Sequence, residues 1–163
     1  MIQKKICLLG ASGVGKTSLV RQFVEGIFSD KYLTTIGVKI DKKVVELAIG
    51  QVQLMIWDIE GIDRYSGFQS KYLRGASAYA IVTDQTRSQS LIEGMEIHLM
   101  ARAATNAPAI MIINKSDLDV AWHWTQNELN GYSKEFVSCF STSAKTGAGV
   151  EDMFKFIAQL SLK

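Results

Sequence analysis

Short apolar runs alternate with helix-spaced apolar positions along the whole chain. Ile6-Cys7-Leu8-Leu9 reads as a buried strand, and Leu19, Val20 and Phe23 then recur at helical spacing. The first helix ends near Gly26, and residues 28–37 are polar enough to form a loop. Val38 to Ile49 and Val52 to Trp57 are rich in β-branched residues and meet at Gly50-Gln51, which predicts a hairpin. Residues 64–74 predict a short, irregular helix. Further on, Tyr79 to Thr83, Ala109 to Ile113 and Phe136 to Phe140 read as strands. Leu91 to Ala104, Trp124 to Tyr132 and Val150 to Leu160 read as helices, the last strongly amphipathic. This order of βα units around one hairpin predicts an α/β fold, with a largely parallel sheet covered by helices on both faces.

Composition narrows the picture without redirecting it. The 163 residues suffice for one domain with a sizeable core, and no repeat, linker or low-complexity tract divides them. A formal net charge of +2, with no long basic run, argues against a nucleic-acid partner. The apolar runs are strand-sized, too short for a transmembrane helix, and the first residues lack a secretory apolar core. Cys7 and Cys139 both sit in apolar runs and are expected to be buried thiols in a reducing, cytoplasmic compartment. The chain ends in Leu160-Ser161-Leu162-Lys163 without a cysteine for a prenyl group. The protein is therefore expected either to lack a lipid anchor or to continue past Lys163.

The segment between the first strand and helix carries the clearest chemistry. Gly10-Ala11-Ser12-Gly13-Val14-Gly15-Lys16-Thr17 fits G-x-x-x-x-G-K-[ST] in the strand–loop–helix setting that motif requires. Glycines let successive backbone N–H groups converge on phosphate oxygens, and the helix that follows points its positive end at the anion. Lys16 is placed to reach β- and γ-phosphates, and the Thr17 hydroxyl to hold Mg²⁺.

Two later loops can identify a base. Asn114-Lys115-Ser116-Asp117 directly follows the strand ending at Ile113. The Asp117 carboxylate can accept from the ring N–H and exocyclic amine of guanine, whereas adenine would leave it desolvated and unpaired. Asn114 and Lys115 would brace the loop. Ser141-Thr142-Ser143-Ala144-Lys145 follows the last strand, where a backbone N–H can meet the guanine carbonyl and Lys145 can pack near the base. An ATP-using kinase or ATPase is disfavoured by Asp117.

Two further segments are placed to sense the γ-phosphate. Asp58, at the end of the hairpin's second strand, would support Mg²⁺, and Gly61 would offer its N–H to the γ-phosphate. Thr35, in Thr34-Thr35-Ile36-Gly37, would reach Mg²⁺ only while that phosphate is present, an order–disorder switch. Trp122-His123-Trp124 is a conspicuous cluster that reads as packing at a helix start.

Taken together, Gly10 to Ser18, Tyr32 with Thr35-Ile36-Gly37-Val38, Trp57-Asp58 with Gly61, Asn114-Lys115-Ser116-Asp117 and Ser143-Ala144-Lys145 resemble a Ras-superfamily small GTPase, closest to its Rab branch. The resemblance implies a three-layer P-loop NTPase G domain, with a six-stranded, mostly parallel sheet, one antiparallel edge hairpin and about five helices. It implies GTP/GDP and Mg²⁺ as ligands of a monomeric switch. Ser12 to Ser18, Phe28, Thr35, Gly61, Asn114, Lys115, Asp117 and Ser143 to Lys145 would bind the nucleotide, and Thr17, Thr35 and Asp58 the metal. Phe28 would pack against guanine. Effectors and regulators would dock on residues 32–38 and 59–72. One departure stands out: Ile62 occupies the place of the glutamine that orients the attacking water in the family. Glu60 or Asp63 could replace it only by adding negative charge beside the triphosphate. A partner could instead donate a residue in trans. The expected activity is slow GTP hydrolysis by a switch, with a GTP-loaded interaction module of negligible turnover as the alternative. Ile59, Ile62, Tyr65, Phe68 and Tyr72 form either an apolar partner patch or an extension of the core.

Overall fold

The computed structural model of the chain describes residues 1–30, 35, 37–59, 61 and 70–163. Its strands are β1 (Ile2–Gly10), β2 (Val38–Leu47), β3 (Gly50–Ile59), β4 (Ala78–Asp84), β5 (Ala109–Asn114) and β6 (Cys139–Ser141). They form one sheet in the order β2-β3-β1-β4-β5-β6. The β2–β3 pair is antiparallel, and the other four pairs are parallel. The α-helices among the described residues are α1 (Lys16–Glu25), α2 (Ser88–Ala104), α3 (Gln126–Ser133) and α4 (Val150–Leu160), with a 3₁₀ turn at Ser70–Leu73. Of the irregular helix expected over 64–74, residues 64–69 lie outside the described ones.

Alternation along β1 explains why the sheet is covered twice. Ile6 and Leu8 point to one face, where Leu19, Phe23, Phe154 and Ile157 from α1 and α4 close the core. Cys7 and Leu9 point to the other, against Leu91 and Ile97 of α2. Every residue of β4 is buried, as a central parallel strand requires. On α4, Val150, Met153, Phe154, Ile157 and Ala158 fall on one stripe, and the Phe154 ring stacks on Phe23 at 4.0 Å between centroids. No helix among the described residues is long and apolar enough to cross a membrane.

The structure moves several expected boundaries. The hairpin turn falls at Ala48-Ile49, because Gly50, at φ 125°, already pairs with Leu47. The helix expected from Trp124 begins at Gln126, where the Thr125 hydroxyl caps it by accepting from Glu128 N–H at 3.2 Å. The helix expected from Leu91 starts earlier, at Ser88. The last strand starts at Cys139 rather than Phe136, whose N–H is taken by a turn to Ser133 O. Cys139 is also exposed, against expectation. β6 is a three-residue edge strand, paired on one side only among the described residues. Cys7 is buried as expected, and burial pushes its thiol up to about 12.

β1 lies between β3 and β4, so the chain order reverses there. The carboxyl ends of β1, β3, β4, β5 and β6 all open on the same edge of the sheet. That edge is where an open α/β sheet leaves a crevice.

Candidate functional site

The loop leaving β1 is closed by glycine. Gly15 sits at φ 99°, and a side chain there would run into the Asn114 amide. α1 starts immediately afterwards, with Leu19 N–H donating to Gly15 O at 2.9 Å. No side chain caps its first turn, and no acidic residue lies there. Its positive end therefore faces the loop. Lys16 is 5% exposed, and its Nζ donates to Gly10 O at 3.2 Å and Ala11 O at 3.1 Å. Burial lowers its pKa to about 8, with nearby Arg87 adding to the shift and Asp58 opposing it. A buried ammonium held mainly by carbonyls is a strong attractor for an anion.

A cluster of oxygen ligands lies beside it. Thr17 Oγ1 donates to Asp58 Oδ2 at 2.5 Å, Thr35 Oγ1 reaches the same oxygen at 3.2 Å, and the two hydroxyls touch each other. Asp58 is 1% exposed, and burial raises its pKa against the pull of the Thr17 bond, Lys16, the Thr35 bond and Lys39. Its Oδ1 is buried with no hydrogen-bond partner among the described residues. An orphaned carboxylate oxygen beside two hydroxyls fits a small, hard cation. Among the described residues no group of three or more His, Cys, Asp or Glu gathers anywhere. This donor set therefore suits an ion that keeps waters and shares its shell with a phosphate, as Mg²⁺ does. Gly61 lies against the phosphate loop: a Cβ there would fall 2.5 Å from Ser12 Cα, and Ser12 Oγ donates to Gly61 O at 3.3 Å. Only glycine allows that approach.

At the far end, the loops after β5 and β6 are tied together and to the phosphate loop. Asn114 Nδ2 donates to Val14 O at 3.0 Å while its Oδ1 accepts from Thr142 Oγ1 at 3.0 Å. Lys115, at φ 67°, sends Nζ to Gly13 O at 3.1 Å and pairs with Asp84 Oδ2 at 2.9 Å. Asp117 is exposed, with Oδ1 accepting from Ser143 Oγ at 2.8 Å. Ser143 and Ala144 are buried and Lys145 exposed; Gln22 of α1 donates to Ala144 O at 2.8 Å. Phe28 is 38% exposed.

Thus the structure brings Ser12 to Ser18, Thr35, Asp58 and Gly61 together at one end. It gathers Asn114, Lys115, Asp117 and Ser143 to Lys145 at the other. Tyr32, Thr34, Ile36, Glu60, Ile62, Asp63, Tyr65 and Phe68 lie outside the described residues. Of the apolar switch positions that are described, Ile59 is core at 4% exposed, and Tyr72 is half-buried beside Trp57. Sequence reasoning missed Asp84, whose carboxylate also accepts from Thr86 N–H at 2.8 Å and Thr86 Oγ1 at 2.6 Å. Burial opposes its charge, but the bonds from Thr86 and Lys115 outweigh burial and hold its pKa low. A lone acid closing a mostly apolar strand was the available signal.

A family model described as the Ras family matches residues 5–163. The chain is 34% identical over 162 residues to "Ras-related protein RAB1BV" of Beta vulgaris, covering 95% of this chain and 74% of that protein. It is likewise 34% identical to "Ras-related protein RABE1d" of Arabidopsis thaliana, with the same 95% and 74% coverage. To "Ras-related protein Rab-13" of Mesocricetus auratus it is 29% identical over 158 residues, with 95% and 78% covered.

Proposed function

Because this chain belongs to the Ras family of small GTPases, we propose that residues 1–163 form one guanine-nucleotide-binding domain that works as a GTP/GDP switch with slow intrinsic hydrolysis. The observation that carries this reading is the meeting of two buried charges at one loop: the Lys16 ammonium, held by the Gly10 and Ala11 carbonyls, and the Asp58 carboxylate, whose Oδ1 has no hydrogen-bond partner among the described residues. A magnesium triphosphate satisfies both at once.

In this reading the amides of residues 13–18 cradle the phosphates, and Lys16 spans the β- and γ-groups. Thr17, Thr35 and Asp58 would hold Mg²⁺, which supplies charge neutralisation to the β- and γ-phosphate oxygens. Thr35 comes from a separate segment, so its hold depends on what occupies the cation end, and the N–H of Gly61 is the second such contact. Asp117, steered by Ser143, reads the guanine edge, with Asn114 and Lys115 bracing the loop, Ser143 to Lys145 facing the carbonyl and Phe28 covering the ring. Ile62 cannot hydrogen-bond to water, which is why turnover is slow. Effectors and regulators would meet residues 32–38 and 59–72. The protein acts as a cytoplasmic monomer in this reading.

The test is titration of magnesium-loaded GDP, GTP and ATP by calorimetry, followed by single-turnover hydrolysis. Tight GDP and GTP binding with no ATP binding is expected, and equal binding of ATP would overturn the base assignment. Asp117→Asn should exchange guanine for xanthine preference, because a donor replaces the acceptor. Ile62 also favours a second reading, a GTP-loaded interaction module. If Ile62→Gln hydrolyses GTP no faster than wild type and both are inert, that second reading prevails.

A further inference from the structure

Arg87 is held on one side by its own strand end and on another by a distant loop. Its N–H closes a turn onto Asp84 O at 3.0 Å, and its Nε pairs with Asp84 Oδ2 at 3.3 Å. Its carbonyl accepts from the Trp122 indole N–H at 3.0 Å, while that same N–H reaches Asp84 O at 2.7 Å. Ala121 N–H bonds Gln85 O at 2.9 Å, and His123 N–H bonds Ser88 Oγ at 3.0 Å. The Trp122-His123 stretch is therefore a strap over the β4–α2 turn, which gives the aromatic cluster a purpose beyond packing.

From this fixed base the guanidinium crosses to the phosphate loop, where Nη2 donates to Ser12 O at 2.8 Å. Ser12 is also the residue against which Gly61 is pressed. Arg87 thus stands at the same point of the loop as a backbone N–H placed to meet the γ-phosphate. The Arg87 charge is felt at Lys16, where it adds to the depression that burial causes. Asp84 is shared between Arg87 and Lys115, two cations on one carboxylate, so the cluster keeps an excess positive charge at the mouth of the loop. The side chain is 45% exposed, and its fork carries five N–H donors. Among the described residues Asp84 and Ser12 occupy two of them.

We propose that Arg87 is a catalytic residue supplied in cis: its guanidinium contacts the transferring γ-phosphoryl group over Ser12 and stabilises the charge that develops during hydrolysis. This rests on the reading of the site as a GTP site. In the step, the water oxygen bonds to the γ-phosphorus while the bond to the β–γ bridging oxygen breaks. The electron pair stays with GDP, and the water proton ends on inorganic phosphate. Arg87 takes no proton, since a guanidinium stays charged. It offers charge and geometry where Ile62 offers neither. Lysine could not hold the Asp84 carboxylate along one edge and a phosphate along the other.

The test uses Arg87→Ala, Arg87→Lys and wild type, each checked for its fold by circular dichroism. Arg87→Ala should slow single-turnover GTP hydrolysis about a hundredfold, the usual loss for one donor to transition-state charge. Affinities for GDP and GTP should stay within about threefold, and Arg87→Lys should restore little of the rate. Magnesium-GDP with aluminium fluoride, followed by ¹⁹F NMR, should form a complex with wild type and none with Arg87→Ala. If Arg87→Ala does not fold, Arg87→Gln replaces it, keeping a donor for Asp84 without the charge. Parallel loss of GDP and GTP affinity with unchanged rate and fluoride complex would make Arg87 a strut of the loop and overturn the assignment. Wild type that binds GDP but forms no fluoride complex would overturn it too. Wild type that binds no guanine nucleotide would instead sink the underlying reading, and this inference with it.

Discussion

At the end of β5, Asn114, Lys115 and Asp117 each meet a partner that the protein itself supplies. At the start of α1, Lys16 and Asp58 are buried with capacity to spare. In the proposed reading the difference separates a reader of the base from a sensor of the phosphate. Hydrogen bonds from Asn114 to Val14, from Thr142 to Asn114 and from Ser143 to Asp117 fix the geometry of the loop that is proposed to meet the base. A preorganised edge loses little freedom on binding and rejects a mismatched base by leaving its own groups unpaired. The cation end does the opposite. In the proposed reading its buried charge lowers the stability of protein without nucleotide, and couples the position of Thr35 to the bound phosphate.

That contrast can be broken most directly at Lys16. Lys16→Met keeps the apolar stem and removes the charge. Loss of one partner of a buried charge pair is expected to cost about 4 kcal/mol of nucleotide affinity, about a thousandfold, by calorimetry. The melting temperature of the nucleotide-free variant should hold within about 3 °C of wild type, because an ammonium that is costly to bury has gone. Retained affinity would show that the loop is not the site.

Asn114→Ala probes the settled end. It strands Val14 O and the Thr142 hydroxyl in the interior, so about 2 kcal/mol of stability should vanish, a fall of about 6 °C in the melt of nucleotide-free protein. A melt as unaffected as that expected for Lys16→Met would erase the distinction between the two ends.

The pH dependence sharpens the comparison further. Lys16 titrates near 8 in the folded protein, against an ordinary value of 10.5. Between those values the unfolded chain holds a proton that the native one has lost. The stability of the nucleotide-free protein should therefore gain from this group as pH rises from 8 towards 10.5, with the burial penalty fully present below 8. Nucleotide binding needs the charged form, so affinity should fall towards about tenfold per pH unit above that point. Opposite slopes for chemical denaturation and for calorimetric affinity are expected, and both should flatten in Lys16→Met.

The smallest effect concerns the thiols. Cys139 should react with a thiol reagent in native protein, and Cys7 only after unfolding, since burial both hides that thiol and suppresses its thiolate. Simultaneous modification of both would contradict the covered face on which Cys7 lies.

The parts of this molecule written in neighbouring residues were legible in the chain. Gly10 to Thr17 needs only a strand before it and a helix after it, and Val150 to Leu160 displays its buried stripe in its own spacing. The run proposed to read the base was legible for the same reason, since Asn114 to Asp117 is one short stretch at a strand end. Boundaries were less so. Thr125 decides where α3 starts by a single hydroxyl, and Cys139 is exposed only because β6 is an edge, which depends on the order of the whole sheet.

By itself the sequence determined the alternation of strands and helices, the phosphate loop and the identities of the charged groups. These follow from local periodicity and from the chemistry of adjacent side chains. Tertiary structure alone decided that Asp58 has an oxygen unpaired among the described residues, that Asp84 binds Lys115 and Arg87 together, and that Arg87 meets Ser12 under a strap held by Trp122. Asp58 with Thr17, Asp84 with Lys115, and Arg87 with Ser12 are pairs far apart in the chain. Such meetings arise only when the sheet order brings several strand ends to one edge, and burial then sets which charges are satisfied there.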